Sequence, residues 1–413
     1  MMHRPLLLLA LLAISLSGCT TLLPDAPPAT TLLAPVAAPS ETAASPQVTD
    51  APPTSTQALP PTETPAVTEV PPPTVTTIPI ITRIAYGPRD FPPGVNPLTG
   101  LVVADPRLLE RRPIVIKVTN FPRSVRPQSG LSFADHVYEY YIADDMSRFV
   151  GVFYGQDALQ VGPIRSARLF DAHVTRMYDG IFIFGWADDI VLQYLFAPDL
   201  KPHLIVERPD NCPPLCRIGP QDAYNTLFAD TTQIAAYLAK RRTSNGPQDL
   251  SGLRFEDEAP PSGSPADQVS IQYSGVSFHR WEYDPLQARY LRFQETGEGD
   301  SLAPLLDSLN GVQLSADNLL VLLVPHQFYK KSSSTEMIDQ PFMGQGRGYA
   351  FRDGLIYPLR WQRDEADQLP TLTLPDGGLY PLKPGVTWVE LLGETSAFED
   401  QGAGAWGFKF SMP

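Results

Sequence analysis

The chain has 413 residues, 43% of them hydrophobic, and a net charge of −14. That length leaves room for two core-bearing domains after a long leader. The acidic balance excludes nonspecific nucleic-acid binding, which depends on Lys and Arg neutralising phosphates.

The first residues have the layout of an export signal. Arg4 supplies a positive n-region, and residues 6–16 are almost wholly apolar. The run is about eleven residues, too short for a membrane-spanning helix of roughly twenty. Leu16-Ser17-Gly18-Cys19 follows, with small residues ahead of a cysteine. This is the pattern of a bacterial lipoprotein signal over residues 1–18, with Cys19 as the lipidated residue and the membrane as a partner through that anchor. Acyl chains bury many methylenes at about 0.8 kcal/mol each, so such an anchor is stable. The expected location is the cell membrane, on its extracytoplasmic side.

Residues 20–80 are built almost entirely from Pro, Thr, Ala, Val, Leu and Ser, with no aromatic residue, Gly, Lys or Arg. Such a composition cannot bury enough apolar surface to offset chain entropy. Its prolines favour polyproline II, with a fully extended limit on the order of 190 Å. Residues 19–80 are therefore expected as a disordered tether.

Residues 81–243 mix strand and helix signals. Residues 113–118 read as a buried strand rich in β-branched residues. Residues 137–142 and 148–154 read as a hairpin turning near Asp144-Asp145. Residues 167–178 read as a helix and 181–184 as an apolar strand. Asp188 or Asp189 caps a helix running to Leu195. A short strand is expected at 204–206. A further helix opens at Thr231 or Thr232 and ends at Lys240-Arg241-Arg242, where basic residues complement the helix dipole. This predicts an α/β N-terminal domain, a mixed sheet with helices.

Residues 244–267 are rich in Ser, Gly, Pro, Asp and Glu and are expected as a linker. Residues 268–413 carry short, partly alternating runs between turn signals, including 269–273, 278–283, 319–324, 355–361 and 387–392. They predict a β-rich C-terminal domain.

Several motifs in this order resemble the YerB-like bacterial lipoproteins, a two-part family of uncharacterised function. They are Asn96-Pro97-Leu98-Thr99-Gly100, Arg126-Pro127-Gln128-Ser129-Gly130-Leu131, Ala134-Asp135, Val137-Tyr138-Glu139, Arg148-Phe149 and, most distinctively, Gly162-Pro163-Ile164-Arg165-Ser166-Ala167-Arg168. Tyr283-Asp284, Tyr290-Leu291-Arg292, Gly344-Gln345-Gly346 and Gly385-Val386-Thr387-Trp388 extend the likeness to about residues 90–392. Where that family tends to show a Pro-His-Asn-Leu-Tyr-like segment, this chain has Gln221-Asp222-Ala223-Tyr224-Asn225. The resemblance implies fold organisation and location, and no established reaction.

The turn from Gly162 to Arg168 is the candidate for chemistry. Arg165, Ser166 and Arg168 stand where a helix begins, and a helix N-terminus with arginines suits a carboxylate or phosphate. Arg126, Gln128 and Arg148 are candidate contributors. In the competing reading Arg165 and Arg168 pair with Asp135, Glu139 or Asp171 and pin the loop. The expected function is a binding or scaffolding module for an anionic envelope ligand, such as a cell-wall component, or for an envelope protein. The alternative is an envelope hydrolase or transferase using Glu139 or Asp135 with an arginine clamp. Nucleophile elbows, Walker motifs, dinucleotide fingerprints and His-X-X-X-His spacings are missing, so neither catalytic residues nor a cofactor or metal is assigned. Ser166 and His173 are too far apart along a helix to hydrogen-bond, and Asp144-Asp145 and Asp188-Asp189 read as a turn and a cap. His326, Tyr329, Arg347, Tyr349, Trp361 and Trp388 read as β-domain packing. Cys212 and Cys216 are expected as a disulfide outside the cytoplasm. A zinc site would need four ligands, and only His203 lies nearby.

Overall fold

The computed structural model describes residues 84–219, 224–332 and 335–412. The signal, Cys19, the tether and Gln221-Asp222-Ala223 lie outside the described residues.

The principal elements, in chain order, begin with β1 (Ile114–Thr119), β2 (His136–Ala143), β3 (Met146–Phe153), α1 (Leu169–Met177), β4 (Ile181–Phe184), α2 (Asp189–Leu195), β5 (Leu204–Val206) and α3 (Ile234–Arg241). The second half adds β6 (Gln268–Gln272), β7 (Phe278–Asp284), β8 (Arg289–Glu295), β9 (Asn318–Val324), β10 (Gly344–Arg352), β11 (Leu355–Arg363), β12 (Thr387–Gly393), β13 (Ala397–Gly402) and β14 (Ala405–Lys409). The hairpin β2–β3 turns at Asp144 and Asp145, both with positive φ (50° and 61°). That is the two-residue geometry whose twist matches the flanking strands, and Asp tolerates it. Asp188 caps α2 by accepting from the Ile190 amide (2.9 Å).

The strands of the first half form a mixed sheet. β1 is antiparallel to β3 and parallel to β4, and β4 is parallel to β5. This sheet does not stop at the end of the first half. β12 pairs in parallel with β2, from Thr387↔His136 to Leu391↔Tyr140, and β9, β10 and β11 continue beyond it. The result is one eleven-stranded sheet with the principal order β11-β10-β9-β12-β2-β3-β1-β4-β5. A seven-stranded sheet built from β6, β7, β8, β13 and β14 with two short strands completes the second half.

The expected two bodies therefore share a sheet. The stretch 244–267, expected as a linker, is laid into the fold instead. Leu250, Leu253 and Phe255 are buried, and Arg254–Glu256 pairs with Ala85–Tyr86 on one side and Pro381–Leu382 on the other. The composition of the stretch is polar apart from the short apolar run Leu253-Arg254-Phe255, which reads as a strand by itself, but its partners lie far away in sequence.

The large sheet is covered on both faces. Along β2, Tyr138, Tyr140 and Ile142 join one core with α1 and α2, while Val137 and Tyr141 join a second core with Trp281, Trp388 and Phe149. The period of two along a strand makes this division. One motif glycine has a clear backbone reason. Gly130 has φ +84°, and a Cβ there would stand 2.5 Å from the Gln160 carbonyl oxygen.

Candidate functional site

The two-faced strand β2 separates the residues expected to act together. Glu139 faces the second sheet and is fully buried. Its register partner on β12 is Glu390, also fully buried. Two like charges side by side destabilise a sheet, and Arg292 from β8 relieves them. Its Nη2 donates to Glu139 Oε2 (2.7 Å) and Gln294 Oε1 (2.7 Å), and its Nη1 to Glu390 Oε1 (3.4 Å). The guanidinium lies among the rings of Trp388 (5.0 Å), Trp281 (5.2 Å) and Phe149 (5.2 Å).

Further donors reach both carboxylates, while His279 Nδ1 and Arg292 Nε are buried with no hydrogen-bond partner among the described residues. Ser147 Oγ (2.5 Å) and Asn120 Nδ2 (3.2 Å) donate to Glu139. Tyr273 OH (3.0 Å) and Trp281 Nε1 (3.2 Å) donate to Glu390, and His279 Nε2 lies 2.9 Å from it. Burial, then Arg292, pushes His279 down to about 3, so its ring is neutral. Burial raises the Glu390 carboxyl, with Arg292 the chief opposing influence. Glu139, His279 and Glu390 offer ligand atoms within 4.8 Å of one another, yet Arg292 already supplies the positive charge at their centre. This is a closed network joining two sheets, and it suits neither a metal ion nor a hydrolytic carboxylate. The arginine clamp proposed opposite Glu139 is not assembled, because Arg165 and Arg168 lie across the large sheet from it.

On the other face of β2, Tyr140 meets Lys117 of β1 and Asp171 of α1. Lys117 Nζ is 3.0 Å from Asp171 Oδ1, both side chains fully buried, and the Tyr140 hydroxyl bonds to both. Burial pushes Lys117 down to about 7 against the pull of Asp171, with Arg148 and Arg168 adding to the depression.

The turn from Gly162 to Arg168 runs beside β1. Thr119 N donates to Pro163 O (3.0 Å), and Arg165 N to Lys117 O (3.3 Å). Gly185 N then donates to Arg165 O (3.1 Å), and Ala167 N to Trp186 O (2.8 Å). The turn is thus held across the ends of β1 and β4 by its backbone, which leaves its side chains for other work. Arg148, register partner of Tyr140 on β3, reaches it through Nη1 to Ser166 O (2.8 Å). Arg148 is 7% exposed. Burial, then the neighbouring Arg168 and Arg165 guanidiniums, pushes it down to about 9.

The acids expected to pin these arginines do not do so. Asp171 accepts from the Arg168 backbone amide (2.7 Å), and its other oxygen holds Lys117 and Tyr140. Among the described residues, the Arg168 side chain donates only to Ala167 O (3.0 Å). Arg165 reaches Tyr224 O (3.4 Å), lies 5.6 Å from the Tyr224 ring, and leaves a buried Nε without a partner among the described residues. Among the described residues, Arg148, Arg165 and Arg168 form no ion pair. Trp186 and Tyr224, 55% and 79% exposed, flank them.

The other expected residues lie elsewhere. Asp135 accepts from Asn96 Nδ2 (2.7 Å) and from the Tyr154 (2.5 Å) and Gly155 (3.0 Å) amides. It ties the Asn96–Gly100 motif to the sheet, and burial pushes it up to about 6. Arg126 is committed to Glu295, 2.7 Å from Oε1, and to Asn120 O (3.1 Å). Gln128 is buried and donates to Thr119 O (3.1 Å). Cys212 and Cys216 form a disulfide, Cα–Cα 4.8 Å. Lys117, Glu390, His279 and Arg292 were missed as site-forming residues, and Asp171 was weighed only as a partner for the arginines. For Lys117 and Glu390 the signal was present: each is a lone charge inside an otherwise apolar strand.

Comparison with known proteins agrees with the order of motifs. The family described as protein of unknown function (DUF3048) matches twice, its N-terminal domain over residues 98–244 and its C-terminal domain over residues 269–389. YerB of Bacillus subtilis (strain 168), whose name marks it as a lipoprotein, is 25% identical over 315 residues, covering 73% of this chain and 87% of that protein.

This chain belongs to the YerB-like family.

The YerB-like fold has a solved example. The crystal structure of Bacillus subtilis YerB aligns with TM-score 0.61 and 22% identity, over 72% of this chain and 96% of that one. In both halves the YerB-like architecture is strand-rich, with mixed sheets and few helices.

Proposed function

We propose that this protein is a lipid-anchored, extracytoplasmic module that binds an anionic envelope ligand through Arg148, Arg165 and Arg168. The lipoprotein name of its relative and the signal-like run ending at Cys19 support the location. One observation carries the binding site. In a chain of net charge −14, three arginines meet at a backbone-held turn with no protein carboxylate as ion-pair partner among the described residues. Arg148 is nearly buried and electrostatically disfavoured there, and an incoming anion would offset both costs. The N-terminus of α1 adds a partial positive charge. Planar guanidinium forks suit a phosphate or carboxylate, and the exposed Trp186 and Tyr224 offer ring faces beside it.

The test is calorimetric titration of tripolyphosphate and of a muropeptide bearing free carboxylates. The double variant Arg165→Ala/Arg168→Ala should bind at least about tenfold more weakly, about 1.4 kcal/mol, with its thermal transition retained. Unchanged affinity would sink the proposal. Loss of the thermal transition would assign the arginines to pinning the loop.

A further inference from the structure

A groove of about 570 Å³ runs along the free edge of β5 and uses none of the three arginines above. Its walls carry Lys201, Arg208, Lys240 and Arg241 against a single acid, Asp210. Phe196 and Tyr237 supply its aromatic surface.

An edge strand ordinarily offers backbone groups to a docking strand. Here those acceptors are taken. Arg241 Nη1 donates to Leu204 O (3.1 Å), and Asn211 Nδ2 to Val206 O (2.6 Å). The same side chains brace one another: Tyr237 OH donates to Asn211 Oδ1 (2.5 Å), and Arg241 Nη1 to Tyr237 OH (3.1 Å). Asn211 and Tyr237 are 7% and 9% exposed, and Cys212 follows Asn211 directly with its disulfide to Cys216. The edge is closed to a strand, and the hollow beside it is rigidly walled.

Charge then narrows the occupant. The C-terminal dipole of α3 accounts for Lys240 and Arg241. It does not account for Lys201, in the turn before β5, or Arg208, after it. Lys201, Arg208 and Lys240 are exposed and form no ion pair among the described residues. Three cations arriving from separate segments of chain, with no carboxylate partner among the described residues, match a group of nearly two negative charges better than a singly charged carboxylate. A phosphate monoester carries about −1.5 to −2 charges near neutrality. The volume is that of a small-molecule site, and Phe196, 38% exposed, can carry the apolar face of a ring. We infer that this groove binds a phosphate monoester borne on a sugar.

Glucose 1-phosphate is the probe, titrated into the purified protein with glucose and inorganic phosphate in parallel. The expected result is saturable binding of the ester, weaker binding of phosphate and none of glucose. The variant Lys201→Ala/Arg208→Ala/Lys240→Ala removes only exposed side chains and should lose at least about thirtyfold in affinity. The Arg165→Ala/Arg168→Ala variant should retain it. The inference is overturned by an absence of saturable binding, by an unchanged affinity in the triple variant, or by an equal loss in the Arg165/Arg168 variant. Phosphate binding as tightly as the ester overturns the sugar assignment.

Discussion

Replacing Arg292 with Met tests whether the network between the sheets is a closed structural device. Met keeps much of the side-chain bulk among Trp281, Trp388 and Phe149 and removes the charge. Arg292 makes two bonds to carboxylates, at 2.7 and 3.4 Å, and one to Gln294 at 2.7 Å. Hydrogen bonds to charged groups contribute about 1.5–3 kcal/mol each, and the longer one belongs at the low end. Breaking a buried ion pair on one side costs about 3–5 kcal/mol, so the two routes agree on a loss of about 3–5 kcal/mol. The loss should depend on pH. Glu390 is already raised by burial, and Arg292 is the main influence holding it down. Without Arg292 its folded-state value rises further. A carboxyl raised on folding contributes stability below its unfolded value and loses it as pH rises through the folded one. His279, freed from Arg292, moves toward protonation in the same acidic range and would pair with Glu139 and Glu390. The deficit of Arg292→Met should therefore be smaller at pH 5 than at pH 8. Urea denaturation of both proteins at the two pH values measures it. A deficit below about 1 kcal/mol, or one that does not change with pH, refutes the reasoning.

Two further outcomes follow from buried groups and the disulfide. Lys117 titrates at about 7 in the fold against an ordinary 10.5, so the unfolded chain holds that proton more tightly in between. Stability should rise from pH 7.5 to 9 by up to about 1.4 kcal/mol per pH unit. In Lys117→Met, with Asp171, Tyr140, Arg148 and Arg168 retained around the site, urea denaturation should show that slope flattened. Cys212→Ser/Cys216→Ser opens a loop of five residues, for which loop closure limits the loss to about 2 kcal/mol. A larger loss in urea denaturation would mean that the disulfide holds more than the local wall beside Asn211.

Much of the architecture was legible locally. The apolar run at 114–118, the hairpin with two aspartates at its turn and the capped helices follow from period, propensity and turn chemistry that act over a few residues. The turn from Gly162 to Arg168 was legible as a dense motif, although Asp171, three residues on, stood open as a local partner. Its isolation from Glu139 was not, although Glu139 and Tyr140 are adjacent in sequence. Adjacent strand residues face opposite sides of a sheet, and which face meets which core depends on strands contributed from the far end of the chain.

The sequence by itself determined the element types, the acidic charge, the signal-like run before Cys19 and the family motifs, because each is written within a short span. Only the tertiary structure decided that β12 lies beside β2, which sets Glu390 against Glu139 and requires Arg292 between them. It also decided that the stretch 244–267 is built into the sheets, and that the cations around β5 share one groove. These depend on pairings between residues up to a few hundred positions apart, where register and burial select partners that no local pattern encodes.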